Sequence, residues 1–126
     1  MKFERSFFKC KHCSNIIAKI HDSGVRVHCC GQEMEDLTPN TVDAAHEKHL
    51  PVSSRDGNVL TVTVGSVPHP MTKEHHIAWI CVAQEHKTMR VALEVTGEPT
   101  ATFVIDDGAA TVYEYCNLHG LWAVDI

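Results

Sequence analysis

Residues 101–116 read Ala101-Thr102-Phe103-Val104-Ile105-Asp106-Asp107-Gly108-Ala109-Ala110-Thr111-Val112-Tyr113-Glu114-Tyr115-Cys116. Ala101 to Ile105 alternates in polarity, as a half-buried strand does. Asp106-Asp107-Gly108 is a hairpin signal, and Ala110 to Cys116 resumes the strand pattern. The same punctuation continues outward. Val59 to Val64 alternates with threonine and stops at Gly65, and Asp56-Gly57 marks a turn before it. Ile77 to Ala83 and Val91 to Val95 are β-branched or apolar runs. Short strands with turns every 8–12 residues, roughly, predict an all-β sandwich or barrel. One short helical stretch is expected, Val42 to Lys48, with Asn40 or Thr41 as its N-cap.

The chain has 126 residues, 11 Lys+Arg against 16 Asp+Glu, and a formal charge of −5. A hydrophobic content of 44% supports a packed core and argues against disorder. No apolar run approaches the roughly 20 residues of a membrane span. Met1-Lys2-Phe3-Glu4-Arg5 lacks the apolar core of a signal peptide, so a cytoplasmic chain is expected. The acidic balance argues against a nucleic-acid partner. Six cysteines and ten histidines are the unusual entries in the composition. In a reducing compartment, cysteines at that density point to metal ligands or reactive thiols rather than disulfides.

The cysteines divide the chain. Cys10, Cys13, Cys29 and Cys30 fall early, and Cys81 and Cys116 lie far downstream. A boundary is expected at Leu37-Thr38-Pro39-Asn40, giving a module over 1–37 and a β-domain over 38–126. The first module is below the roughly 40 residues at which burial alone suffices, so it needs a metal, disulfides or a partner chain. Its apolar runs, Phe7-Phe8, Ile16-Ile17-Ala18 and Val25-Arg26-Val27, read as brief strands, separated by a hairpin signal at Asp22-Ser23-Gly24.

Cys10-x-x-Cys13, then fifteen residues, then Cys29-Cys30 is a four-thiolate metal pattern. A Cys-x-x-Cys turn aims two sulfurs at one centre, and a second pair completes a tetrahedron. The second pair is adjacent here, which predicts a distorted tetrahedron. Thiolates alone do not separate zinc from iron. A second group is dispersed: Glu47-Lys48-His49, His69-Pro70-Met71, His75-His76, and Tyr115-Cys116-Asn117-Leu118-His119-Gly120. Each has an ordinary surface explanation by itself.

Taken together, in this order and spacing, these motifs and the cysteine cluster resemble the desulfoferrodoxins, two-iron superoxide reductases. The resemblance extends through Leu121-Trp122 and covers nearly the whole chain. It implies two mononuclear irons. Cys10, Cys13, Cys29 and Cys30 would hold one in a desulforedoxin-like module. His49, His69, His75 and His119 would hold the other in an equatorial plane, with Cys116 axial, in an immunoglobulin-like β-sandwich. It also implies Glu47 as sixth ligand of the ferric state, and Lys48 as the residue that attracts superoxide and helps deliver a proton. Superoxide is the implied substrate, a rubredoxin-like carrier the electron donor, and a homodimer the assembly. Two other functions fit the residues: an iron electron-transfer protein without turnover, and a zinc-ribbon binding module.

The remaining residues carry no assigned role. His46 is expected on a solvated face, and His76 on the face of its strand opposite His75. Cys81 is expected as a small buried hydrophobe. Trp79, Trp122, Tyr113 and Tyr115 are expected as core or pocket wall.

Overall fold

The computed structural model describes the whole chain, Met1–Ile126. Two compact units divide it: Arg5–Thr38, and Met1–Glu4 together with Pro39–Ile126. Residues 1–4 group with the larger unit because they are bonded there. Lys2 N donates to Asp125 Oδ1 at 3.0 Å, Phe3 N to Thr111 Oγ1 at 3.0 Å, and Tyr113 Oη to Phe3 O at 3.0 Å.

In the smaller unit, β1 (Phe7–Lys9), β2 (Ile16–Ala18), β3 (His28–Cys29), β4 (Gln32–Glu33) and β5 (Glu35–Asp36) are all short. β1 lies between β2 and β5 in an antiparallel sheet, and β3 pairs with β4. Phe8, Cys10 and Met34 form the small core. Val25–Val27 is not a strand, contrary to the sequence expectation. Asp22 Oδ1 accepts from both Lys19 Nζ and Gly24 N at 2.8 Å, and Lys19 Nζ also reaches Val25 O at 2.8 Å. These bonds tie Val25 to the preceding turn, and Val27 O accepts from Met34 N at 2.8 Å with no ladder formed over 25–27.

The larger unit holds α1 (His46–His49) and seven strands: β6 (Pro51–Asp56), β7 (Val59–Val64), β8 (Ile77–Gln84), β9 (Lys87–Ala92), β10 (Thr100–Val104), β11 (Thr111–Cys116) and β12 (Gly120–Asp125). They form a three-stranded sheet, β10-β7-β6, and a four-stranded sheet, β12-β11-β8-β9, all antiparallel. Leu60, Val62 and Val64 of β7 and Ala101 and Phe103 of β10 share one buried cluster with Ile80 and Val82 of β8 and Val112 and Cys116 of β11. That shared core makes the unit a β-sandwich of the three-plus-four type found in immunoglobulin-like folds. The chain is all-β apart from one turn of helix. No helix is long and apolar enough to cross a membrane.

Two local expectations are corrected. Asp106-Asp107-Gly108 does not close a hairpin, because β10 and β11 lie in different sheets. The turn is held by one residue from each sheet. Arg55 of β6 donates to Gly108 O at 2.6 Å and Asp106 O at 2.9 Å, and Gln84 of β8 bonds Asp106 N and Asp106 O, both at 2.9 Å. The helix is also shorter than Val42–Lys48, and its N-cap is Ala45, with no side-chain cap. Asn40 is occupied elsewhere: its side chain accepts from Ala123 N at 2.9 Å and donates to Ala123 O at 3.0 Å.

Candidate metal centres

The larger unit brings together five residues from four separate segments. His49 ends α1, His69 and His75 lie on the connection between β7 and β8, Cys116 ends β11, and His119 lies on the turn into β12. One ligand atom from each lies within 4.8 Å of all the others. Gly65 explains how α1 reaches this place. Its φ is +116°, and a Cβ there would fall 2.8 Å from Lys48 Cα. Only glycine allows that backbone approach. Glu47 O then accepts from Val67 N at 3.0 Å and from Ser66 Oγ at 3.3 Å, which pins the helix against the turn leading to His69.

The ring tautomers can be read from the acceptors. His49 Nδ1 lies 2.7 Å from Ala45 O, and His69 Nδ1 lies 2.7 Å from Pro70 O. A carbonyl can only accept, so both Nδ1 atoms carry the proton. Both Nε2 atoms therefore present lone pairs, and they face each other at 3.2 Å. His119 Nδ1 lies 3.0 Å from His49 Nε2, and Cys116 Sγ lies 3.5 Å from His69 Nε2 and 3.8 Å from His119 Nδ1. His75 Nε2 is buried with no hydrogen-bond partner. Burial pushes the His49, His69 and His75 pKa values down, that of His69 to about 4, so these rings are neutral near pH 7. Burial pushes the Cys116 thiol up. Facing lone pairs, an orphaned ring nitrogen and a buried thiol are what a thiophilic cation would satisfy, with release of the thiol proton. The donor set fits such an ion.

Burial across this site is graded. Cys116 is fully buried, His49 and His69 are buried, His75 and His119 are half-buried, and Glu47 and Lys48 are exposed. The positive charge of Lys48 is among the lesser causes that hold His49 and His75 down, after burial. The lysine field therefore reaches the imidazoles. His46 is exposed with its ring edge-on to Trp122 at 5.3 Å. His76 Nδ1 bonds Thr72 O at 2.9 Å and stays outside the cluster. Cys81 is buried on β8 opposite Tyr113, apart from both candidate sites.

Trp122, expected as core or pocket wall, is both, and sequence reasoning passed over Glu114. Trp122 stacks on His49 with centroids 5.0 Å apart and a 25° interplanar angle, and its Nε1 donates to His119 O at 3.1 Å. Being cross-strand to Glu114, it also stands on the inward face of its sheet. Glu114 is fully buried with neither carboxylate oxygen bonded, and burial pushes its pKa well above the usual carboxylate range. A charged residue in an otherwise apolar strand was the signal for Glu114.

In the smaller unit, the sulfurs of Cys10, Cys13, Cys29 and Cys30 lie within 4.8 Å of one another. Cys13 Sγ and Cys29 Sγ are 3.6 Å apart. Four sulfurs at a metal–sulfur bond of about 2.3 Å would stand about 3.8 Å apart in a regular tetrahedron, so the separation matches ligation and not a disulfide. The adjacent pair is accommodated by a left-handed Cys30, at φ +53°, followed by Gly31 at φ +75°. The Cys13 backbone N–H lowers the Cys10 pKa to about 6, while the Cys13 and Cys10 sulfurs push Cys30 up to about 12. The cluster ionises readily once, and ionising all four thiols calls for a cation among them.

Known proteins resemble the chain along nearly its full length. The desulfoferrodoxin family model matches residues 41–125. A desulfoferrodoxin of Syntrophotalea carbinolica is 44% identical over 116 residues, covering 92% of each chain. One of Nitratidesulfovibrio vulgaris is 38% identical over 125 residues, covering 99% of each. The crystal structure of the superoxide reductase from Treponema pallidum superposes with a TM-score of 0.78 at 38% identity, covering 96% of this chain and 98% of that one. With two thiol- and imidazole-rich sites in one all-β chain, and a full-length match to these relatives, the chain belongs to the desulfoferrodoxin family.

Proposed function

We propose that the protein is a superoxide reductase. Its metal ligands would be His49, His69, His75, His119 and Cys116 at the reacting site, and Cys10, Cys13, Cys29 and Cys30 at a second, desulforedoxin-like site. The observation that carries this reading is the pair of facing Nε2 lone pairs of His49 and His69, 3.2 Å apart, beside a fully buried Cys116. Iron held there would supply one electron to superoxide, which with two protons leaves as hydrogen peroxide.

The residues of this chain do the rest. Four neutral imidazoles add no charge, and the Cys116 thiolate adds one negative charge from the core side. That thiolate donates electron density to the site. His75 and His119, being half-buried, leave the other side open to a small anion. A net charge of −5 repels superoxide at long range. Screening limits that repulsion to about 8 Å at physiological salt, so local charge governs the final approach. Lys48 Nζ supplies that local attraction and carries a proton toward the site. Glu47 on the same exposed turn caps the oxidised site with its carboxylate. We further propose a rubredoxin-like electron carrier as donor, a homodimeric assembly and a cytoplasmic location, all resting on the family likeness.

Pulse radiolysis tests the steering role. Lys48→Ile is expected to lower the second-order rate with superoxide about tenfold at low salt and to weaken its ionic-strength dependence. Glu47→Ala, in the same experiment, is expected to keep the rate and to alter the optical spectrum of the oxidised site. A Lys48→Ile rate and salt dependence equal to wild type would sink the assignment, and an unchanged Glu47→Ala spectrum would remove the carboxylate cap.

A further inference from the structure

The four imidazoles are not anchored alike. His49 and His69 are each fixed by an Nδ1–H bond to a carbonyl, and His49 is also stacked on Trp122. His119 is three residues from Cys116 on one turn, and its carbonyl accepts from Trp122. His75 has neither device. Its ring makes no hydrogen bond, and its buried Nε2 has no partner. It sits beside an exposed run, Thr72–Glu74. Its ring packs edge-on against His69 at 4.5 Å and His119 at 5.1 Å, and with no carbonyl anchor its orientation depends on its backbone.

That backbone is closed on itself by Thr72. Thr72 N donates to His75 O at 2.9 Å, and His75 N donates to Thr72 Oγ1 at 3.0 Å. These bonds shape the turn but do not attach it to the sheet. Attachment should come from the ladder between β8 and β11, yet that ladder slips where the ligands begin. Tyr115 pairs with Trp79, and the next residue, Cys116, pairs with Ile77. Such a bulge leaves backbone groups without ladder partners.

Asn117 lies just past this slip. Its Oδ1 accepts from His76 N at 2.9 Å, its Nδ2 donates to Glu74 O at 2.9 Å, and its own backbone N donates to His76 O at 3.2 Å. The side-chain amide has the donor and acceptor of a peptide group. It bonds the residues on both sides of His75 and replaces the missing rung. We propose that Asn117 is a positioning residue that sets the orientation of His75 by extending the β8–β11 ladder past the bulge. The thiol ligand and the least anchored imidazole are thereby tied through one side chain adjacent to Cys116. This rests on the reading of the five-residue cluster as a metal centre.

The consequences are graded by chemistry. Asn117→Asp keeps the acceptor for His76 N but sets a carboxylate oxygen against Glu74 O. Asn117→Ala loses both bonds. Loss of a partner that orients a metal ligand costs about 10- to 100-fold in metal retention. The test loads full-length wild type, Asn117→Asp and Asn117→Ala with iron, then follows extraction by a chelator and the EPR spectrum of the oxidised histidine–cysteine site. Absorption of the four-thiolate site is the internal control. The expected result is extraction from the histidine–cysteine site accelerated about 10- to 100-fold in Asn117→Ala and by less in Asn117→Asp, with a changed EPR signal and an unchanged control. A purely structural role would shift melting temperature and leave the EPR signal alone. If Asn117→Ala does not fold, Asn117→Asp carries the test. Wild-type extraction and EPR in the folded variants would overturn the proposal. A wild type that holds no metal at this site would instead overturn the metal-centre reading beneath it.

Discussion

Cys116→Ser is expected to lower the rate of superoxide consumption by at least about 100-fold while leaving the fold intact. Even loss of a residue that merely orients a ligand costs about 10- to 100-fold, and Cys116 offers a ligand atom itself. The sulfur is at the end of β11, fully buried, 3.5 Å from His69 Nε2 and 3.8 Å from His119 Nδ1. Serine fits the same space, so packing changes little. A serine hydroxyl stays protonated where a thiol can be displaced to thiolate, and it donates far less electron density. The optical readout is specific. The sulfur-to-metal band of the histidine–cysteine site should vanish, and the four-thiolate absorption should remain. A variant rate within a few-fold of wild type would show that the thiolate is not needed.

The second large effect is expected from Cys10→Ala. Cys10 is 2% exposed and is one of the three buried residues of the smaller unit's core cluster, with Phe8 and Met34. Such a core cannot offset the ordering of a chain below roughly 40 residues. Structural zinc supplies roughly 10–16 kcal/mol in zinc-finger peptides, and metal binding on that scale decides whether a unit this small folds. Removing one ligand should therefore release the ion and unfold Arg5–Thr38. Hydrogen exchange read by mass spectrometry should show protection lost over 5–38 and kept across β6 to β12, with metal content reduced by one ion per chain. The larger unit has its own buried core over β7, β8, β10 and β11, which is why its protection should survive. Retained protection over 5–38 would show that the module does not depend on its thiolates.

The two metal groups were legible in the sequence to different degrees, for a physical reason. Cys10 and Cys13 are close along the chain, so spacing alone brings their sulfurs together. His49 ends a one-turn helix and His69, His75 and His119 lie on loops, and no periodicity encodes their meeting. Only the family resemblance linked them beforehand. The strands were readable because alternation in Val59–Val64 and 101–105 reports burial of one face. The partner of each strand was not. Asp106-Asp107-Gly108 has hairpin chemistry, yet Arg55 and Gln84 capture its carbonyls from two sheets and turn it into a crossing. Asn40 was a sound N-cap by propensity, but a strand 83 residues away claimed its amide. Asn117 stood in a quoted motif without a role, because a side-chain amide replacing a ladder rung is visible only once the bulge at Tyr115/Cys116 is known.

Reduction of superoxide at the histidine–cysteine site can be measured directly. The direct measurement combines metal analysis with anaerobic reaction of the pre-reduced protein and a superoxide pulse, following peroxide and dioxygen. The account predicts two irons per chain, one superoxide consumed per histidine–cysteine site, an equal amount of hydrogen peroxide, and no dioxygen. Dioxygen released alongside peroxide, or a reduced protein that leaves superoxide to decay at its spontaneous rate, would contradict it.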